Sequence, residues 1–247
     1  MNLRLDGIKY IFLREIRNYF NTPIGYVFGV SCLFFNFLFF FLGIFDIVPA
    51  FFEAKEASIR SYMNLLPVTF ILMVPAISMR IWAEERKAGT IEVLRTLPLS
   101  DLALVTAKFL AAWAFVSGLI FASLPLAAAV FFLGNMDVGT TVALYIGSVL
   151  MAGAYVSLGM VISVITKEQI VAFILIFFAS LFIFLSNYYI ISQHLSPGMA
   201  RVVGFFSHSY HFTSFSRGLL DTGDIFYYIS FIALMITINV WVLRRER

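Results

Sequence analysis

A chain of 247 residues that is 61% hydrophobic and 13% charged, with a mean hydropathy of +0.94, is not a soluble domain. Soluble domains hold roughly 45–50% apolar and about 25% charged residues. A single cysteine, Cys32, excludes an internal disulfide, and a net charge of +3 is too small to inform except through its distribution.

Residues 1–22 are amphipathic. Leu5, Ile8, Phe12, Ile16 and Tyr19 fall on one helical face, while Arg4, Lys9, Arg14, Arg17 and Asn18 lie elsewhere. That pattern predicts a helix lying in the membrane interface, although a basic flank that only fixes topology would carry the same charges. No apolar core of a cleavable signal is seen. Thr22-Pro23 reads as a cap followed by a first-turn proline, and opens a membrane domain over 23–247.

Six apolar segments come next, at about 24–45, 63–82, 102–133, 140–166, 170–191 and 225–243, each of the length needed to cross a bilayer. Pro67 and Pro75 sit within the second, and Pro125 is expected to bend the third. Gly147, Gly153 and Gly159 in the fourth mark either close helix packing or a bare loss of bulk. Asn36, Asn187 and Asn239 are expected to hydrogen-bond between helices, and Lys108 to snorkel to the nearer membrane surface.

Residues 79–110 are the one densely charged stretch between two strongly apolar ones. Arg86 and Lys87 suit the last turn of a helix, and Gly89 the position just past its end. Thr90 then caps a short helix with Glu92 in its first turn, and Ile91, Leu94 and Leu97 share one face. Pro98 stops this helix, and Ser100 caps the next. An apolar stripe with a charged back predicts a surface that docks into a partner.

Six spans place both termini on one side. Lys and Arg number four before the first span, five in 79–110, one at Lys167 and three at the C-terminus, against Lys55, Arg60, Arg201 and Arg217 opposite. The positive-inside rule makes the richer side cytoplasmic.

No G-x-S-x-G, H-E-x-x-H or phosphate-loop pattern occurs, so no catalytic, cofactor-binding or metal residues are expected in the chain. His208 and His211 are three apart, with His194 the remaining histidine; they read as structural, a metal site needing further ligands. The absence of an acid or base at any predicted midplane disfavours a secondary transporter.

Three stretches carry a family resemblance. Met79-Arg80-x-x-Ala83-Glu84-Glu85-Arg86-x-x-Gly89-Thr90-x-Glu92-x-Leu94-x-x-x-Pro98-Leu99-Ser100 resembles the signature of ABC-2 type permeases, the membrane subunits of type V ABC exporters. Arg14-Glu15-Ile16-Arg17-Asn18-Tyr19-Phe20-x-x-Pro23 resembles their elbow helix. Tyr210-His211-Phe212-x-x-Phe215-x-Arg217-Gly218-x-x-Asp221 resembles the extracytoplasmic segment before their last span. The nearest subgroup is that of gliding-motility permeases, close to those of copper-maturation operons.

The resemblance implies an all-α integral membrane protein with six transmembrane helices, an N-terminal interfacial elbow helix and a cytoplasmic coupling helix. It implies ATPase coupling through Glu84, Glu85, Arg86, Gly89, Thr90, Ile91, Glu92, Leu94 and Leu97, and an elbow helix carrying Arg14, Arg17, Tyr19 and Phe20. ATP and Mg would be bound by a partner, a cytoplasmic ABC ATPase dimer in the bacterial inner membrane complex. A second permease copy or a related permease would complete the unit, with membrane lipid around it, an extracytoplasmic accessory protein as a further partner, and no nucleic acid. Phe34, Phe35, Phe37, Phe177 and Phe178 are the candidate lining of a pathway between subunits. A subunit that transmits ATPase motion without transporting, and a secondary transporter, are the competing readings.

Overall fold

The computed structural model describes residues 3–43, 50–91, 99–186 and 196–245, and every regular element among them is an α-helix. In chain order these are α1 (Leu3–Asn21), α2 (Pro23–Leu42), α3 (Phe51–Ala54), α4 (Arg60–Ser78), α5 (Arg80–Lys87) and α6 (Asp101–Phe121). They continue with α7 (Leu124–Leu133), α8 (Val138–Ile165), α9 (Gln169–Leu185), α10 (Pro197–Phe205), α11 (His208–Ser216) and α12 (Thr222–Arg245). Five stretches are long and apolar enough to cross a membrane: Gly25–Leu42, Arg60–Lys87, Asp101–Leu133, Val138–Ile165 and Thr222–Arg245. The expected span at 170–191 corresponds to α9, which is apolar but has 17 residues, and residues 187–195, with Asn187 and His194, lie outside the described part.

Local chemistry sets the helix ends. The Ser100 hydroxyl accepts from Ala103 N at 3.2 Å and starts α6. Asp137 accepts from Thr140 N at 3.2 Å and starts α8. The predicted bend at Pro125 is a full break: α6 ends at Phe121, and α7 restarts with Pro125 in its first turn, where a missing N–H costs nothing.

Arg60–Lys87 and Val138–Ile165 are buried over 72% and 67% of their apolar stretch, against 22% for Gly25–Leu42, so α4–α5 and α8 form the middle of the bundle. Two small residues of α8 allow close approach, one to α4 and one to α11. A Cβ at Gly159 of α8 would lie 2.6 Å from Ser78 Cβ, and one at Gly147 would meet the Phe215 ring of α11 at 2.5 Å. The small residues of the fourth span are therefore packing surfaces. Around this pair, α2 leans on α4, α9 on α4 and α8, α6 on α8, and α12 on α8 and α6.

The second span departs from its expected bounds of 63–82. It begins at Arg60, breaks at Met79 and resumes as α5, with Trp82 fully enclosed rather than at a membrane boundary. Pro75 lies four residues before the break, and α8 makes the break good. Ser163 Oγ donates to Met79 O at 2.9 Å, and accepts from Trp82 N at 3.1 Å and Ala83 N at 3.3 Å. A serine on one helix thus caps the start of another.

Of the buried asparagines, Asn239 bonds between helices as expected, donating to Met160 O at 3.0 Å. Asn36 does not: its amide turns back one helical turn to Cys32 O at 2.8 Å. A carbonyl one turn back is the nearer partner in a helix packed among phenylalanines.

Both described chain ends lie at one end of the bundle. Arg244 reaches Asp101 at 3.5 Å, α1 reaches Lys108, and Lys87 of α5 pairs with Glu168 of the α8–α9 turn at 2.9 Å. The α3–α4 loop and the α7–α8 turn meet at the other end, with Gly134 against Ala57.

Candidate functional site

The expected functional stretch falls at the end of the bundle that carries the termini. Helix α5 closes on Gly89, which adopts φ +68, a conformation that suits glycine. Thr90 N donates to Glu85 O at 3.0 Å and Gly89 N to Arg86 O at 3.3 Å, the paired bonds of a glycine-terminated helix. Thr90 thereby completes the end of α5, with its hydroxyl 3.4 Å from Glu85 O, and it stands directly before the helical Ile91; the rest of the short helix it is expected to cap lies outside the described residues. Ile91 is half-buried and packs at the edge of the core. Glu92, Leu94 and Leu97 lie outside the described residues.

Helix α5 buries Ile81, Trp82 and Ala83 and turns its charges toward three neighbours. Arg80 and Glu84 pair along the helix through two bonds of 2.9 Å. Glu85 faces inward and meets Lys108 of α6 at 2.9 Å and Arg14 of α1 at 3.3 Å. Arg86 is half-buried, and it too is partnered.

Lys108 overturns its expected snorkelling. It is 2% exposed, and its ammonium donates to Glu15 Oε1 at 3.0 Å, Glu85 Oε1 at 2.9 Å and Ile81 O at 3.0 Å. An ammonium has three donors, and here each finds an acceptor. Nζ also stands 5.0 Å from the centre of the Trp82 ring, within cation–π range. The carboxylates reach inward to a cation that the surrounding helices keep from water.

Glu15 arrives because the inward face of α1 is broader than the expected one and takes in Ile11 and Glu15 as well. Ile11 is 1% exposed and Ile8 and Tyr19 pack on the core, so the inward stripe runs through Ile8, Ile11, Glu15 and Tyr19, with Phe12 and Ile16 half-buried beside it. Burial alone would raise the Glu15 carboxyl; Lys108 and Arg14 outweigh it and hold the group below its usual value. Tyr19 stacks on Phe115 of α6 at 5.1 Å and Phe20 meets the same ring edge-on at 5.4 Å, while Arg17 is exposed.

These groups border a cleft of about 230 Å³ lined by Glu15, Tyr19, Arg80, Glu84, Glu85 and Lys108 among others. The second carboxylate oxygen of Glu85 is buried there without a partner.

At the opposite end, α10 and α11 fold back against α8 and α12. His211 Nε2 lies 2.9 Å from Phe205 O, which only accepts, so that nitrogen carries a proton. Its Nδ1 lies 2.6 Å from Asp224 Oδ1, with a second proton between them. Tyr227 stacks on His211 at 3.7 Å and donates to Phe206 O at 2.7 Å, which leaves its oxygen to accept from His208 Nδ1 at 2.9 Å. Both histidines hold helices together, as their structural reading expects; Asp224 and Tyr227 escaped notice because they stand on another helix. Among the described residues no group of three or more His, Cys, Asp or Glu is placed to hold a metal ion.

Apart from Phe37, the phenylalanines proposed as pathway lining lie on the outside of the single chain. Phe34, Phe35 and Phe178 are well exposed, Phe177 is half-exposed, and Phe37 packs beside Tyr62 at 5.5 Å.

The sequence profile of the family described as "ABC-2 family transporter protein" matches residues 45–243. No curated protein matches the chain.

Proposed function

The chain belongs to the ABC-2 transporter family, and on that membership we propose that it is the membrane-spanning permease subunit of an ATP-driven exporter. It is an integral membrane protein, and the family supplies the membrane component of such transporters, so a partner ABC ATPase is implied. In this reading the ATPase binds ATP and Mg, and docks on the 84–97 segment from the cytoplasm. Both termini are then cytoplasmic, the expected fifth span at 170–191 crosses with the other five, and two permeases form the unit in a bacterial inner membrane. Residues 1–22 form the elbow and 23–247 the permease domain. The placement beside gliding-motility permeases rests on general features of the sequence.

The observation that carries the proposal is the fixing of α5. It is capped by Ser163, paired to α6 and α1 through Glu85, and tied to the α8–α9 turn through Lys87. A helix held on three sides passes a push at its free end to the whole bundle instead of bending. Co-purification of the complex tests it. The wild-type chain is expected to bring down an ATPase with two permease copies per assembly. Leu94→Asp is expected to lose the ATPase while the permease stays folded, since docking would desolvate an unpaired carboxylate. An ATPase retained at wild-type yield and activity in that variant contradicts the assignment.

A further inference from the structure

Three helices that begin or end different spans converge on one nitrogen. Lys108 belongs to α6, Glu15 to α1, and Glu85 with Ile81 O to α5. We propose that Lys108 is the pivot that fixes α1 to α5, so that displacement of the 84–97 segment reaches the first span through α1. The proposal rests on the coupling reading and adds Lys108 and Glu15 to its machinery.

The path beyond the pivot is short and stiff. Thr22 alone separates α1 from α2. At this corner a Cβ on Gly25 would lie 2.3 Å from Tyr19 O, so the two helices touch backbone to backbone. Tyr19 is itself held on the Phe115 ring. Helix α2 is the least enclosed of the five long apolar stretches and leans chiefly on α4.

The chemistry at the pivot depends on the ammonium. Glu15 and Glu85 both offer Oε1 to it. Without the cation these two carboxylates face each other, and like charges at that range repel. Arg14 remains, but it is 36% exposed and its pull is screened by water. A guanidinium cannot stand in, because its planar fork does not match three acceptors grouped around one nitrogen. The pivot therefore works by position as well as by charge. Replacing Lys108, Glu15 and Glu85 by Met, Gln and Gln removes the stranded charges together with the joint.

Spin labels test this in the full chain on a Cys32→Ser background. One label replaces Leu13, exposed on α1; the other replaces Ala88, exposed at the end of α5. With Lys108 present, the isolated permease is expected to give one narrow distance. Lys108→Met, and the neutral triple variant Lys108→Met/Glu15→Gln/Glu85→Gln, are expected to give a broad one, even where the triple variant recovers wild-type yield. A narrow distance in the triple variant overturns the proposal. In the complex with its ATPase, the Leu13 site is compared with one at Val138, at the far end. ATP is expected to shift that distance with Lys108 and not in the triple variant, while Ala88 to Val138 shifts in both. Equal shifts from Leu13 in both proteins also overturn the pivot. If ATP moves neither site, the coupling reading falls, and the isolated chain still decides whether Lys108 fixes α1 to α5.

Discussion

At one end of the bundle α1, α5 and α6 meet through Arg14, Glu15, Glu85 and Lys108; at the other α10, α11 and α12 meet through His208, His211, Asp224 and Tyr227. In the first set the charges are shared: Lys108 serves two carboxylates and each carboxylate serves two cations. In the second, each donor has one acceptor, and a ring stacked at 3.7 Å fixes the geometry. Shared ion pairs tolerate a change of angle, because a carboxylate keeps some attraction to either cation as it swings. Directional bonds with stacked rings do not. The difference suits a loaded joint at the charged end and a fixed clamp at the other.

The largest expected effect comes from breaking the charged end. Lys108→Ala leaves two buried carboxylates facing one exposed arginine, and removing one partner of a buried ion pair costs about 3–5 kcal/mol. A large fall in melting temperature in detergent is expected, with most of it recovered when Glu15→Gln and Glu85→Gln are added. Loss of less than about 1 kcal/mol would show that the ammonium is solvated instead, as a surface pair is.

Breaking the clamp should cost less. His211→Ala removes hydrogen bonds to Phe205 O and Asp224 together with a stacked ring, at about 1–3 kcal/mol for the stranded partner and about 0.5–1.5 kcal/mol for the stacking. Asp224→Asn keeps the shape, and thermal unfolding is expected to place it between wild type and His211→Ala. An Asp224→Asn protein as stable as wild type would remove the proton-bridged pair from the account.

Ser163→Ala sharpens the comparison at the charged end, because it loosens α5 without touching a charge. Loss of a capping hydroxyl costs about 0.5–2 kcal/mol. Amide exchange at Trp82 and Ala83 is expected to accelerate while that of α8 stays protected; unchanged exchange there would contradict the cap.

The smallest effect is that of acid. Because folding holds Glu15 below its usual value of 4.5, its share of stability is complete above that pH and is lost as pH falls through the lower folded value. Glu15→Gln is expected to flatten the acid limb of a melting-temperature profile below about pH 4.5 and to leave its shape above that unchanged.

Much of this architecture is readable from the chain. Apolar length locates the third and fourth spans to within two residues at their described ends, since a bilayer-sized run with a serine or aspartate cap has few other readings. Gly89 is readable for the same reason: a helix rich in basic residues at its end, then glycine, is a local pattern. What escapes is whatever depends on distant partners. Lys108 near a span end looks like a residue able to reach water, and only the fold brings Glu15, 93 positions away, to meet it. Charge pattern alone draws the second span too short, because Arg80 to Lys87 reads as surface until Ser163 and Lys108 are seen enclosing it. Glu15 is missed from the inward face of α1 because a carboxylate is not counted as a core residue until its cation is known.

Photo-crosslinking from Ala88, in the assembled complex in native membranes, tests most directly whether the charged end receives the ATPase. Ala88 is exposed at the end of α5, and Leu220, exposed just before α12 at the opposite end, serves as the control. An ATPase adduct from Ala88, strengthened or weakened by ATP, and none from Leu220 is the expected result. An ATPase adduct from Leu220, or none from Ala88 in a complex that hydrolyses ATP, would contradict it.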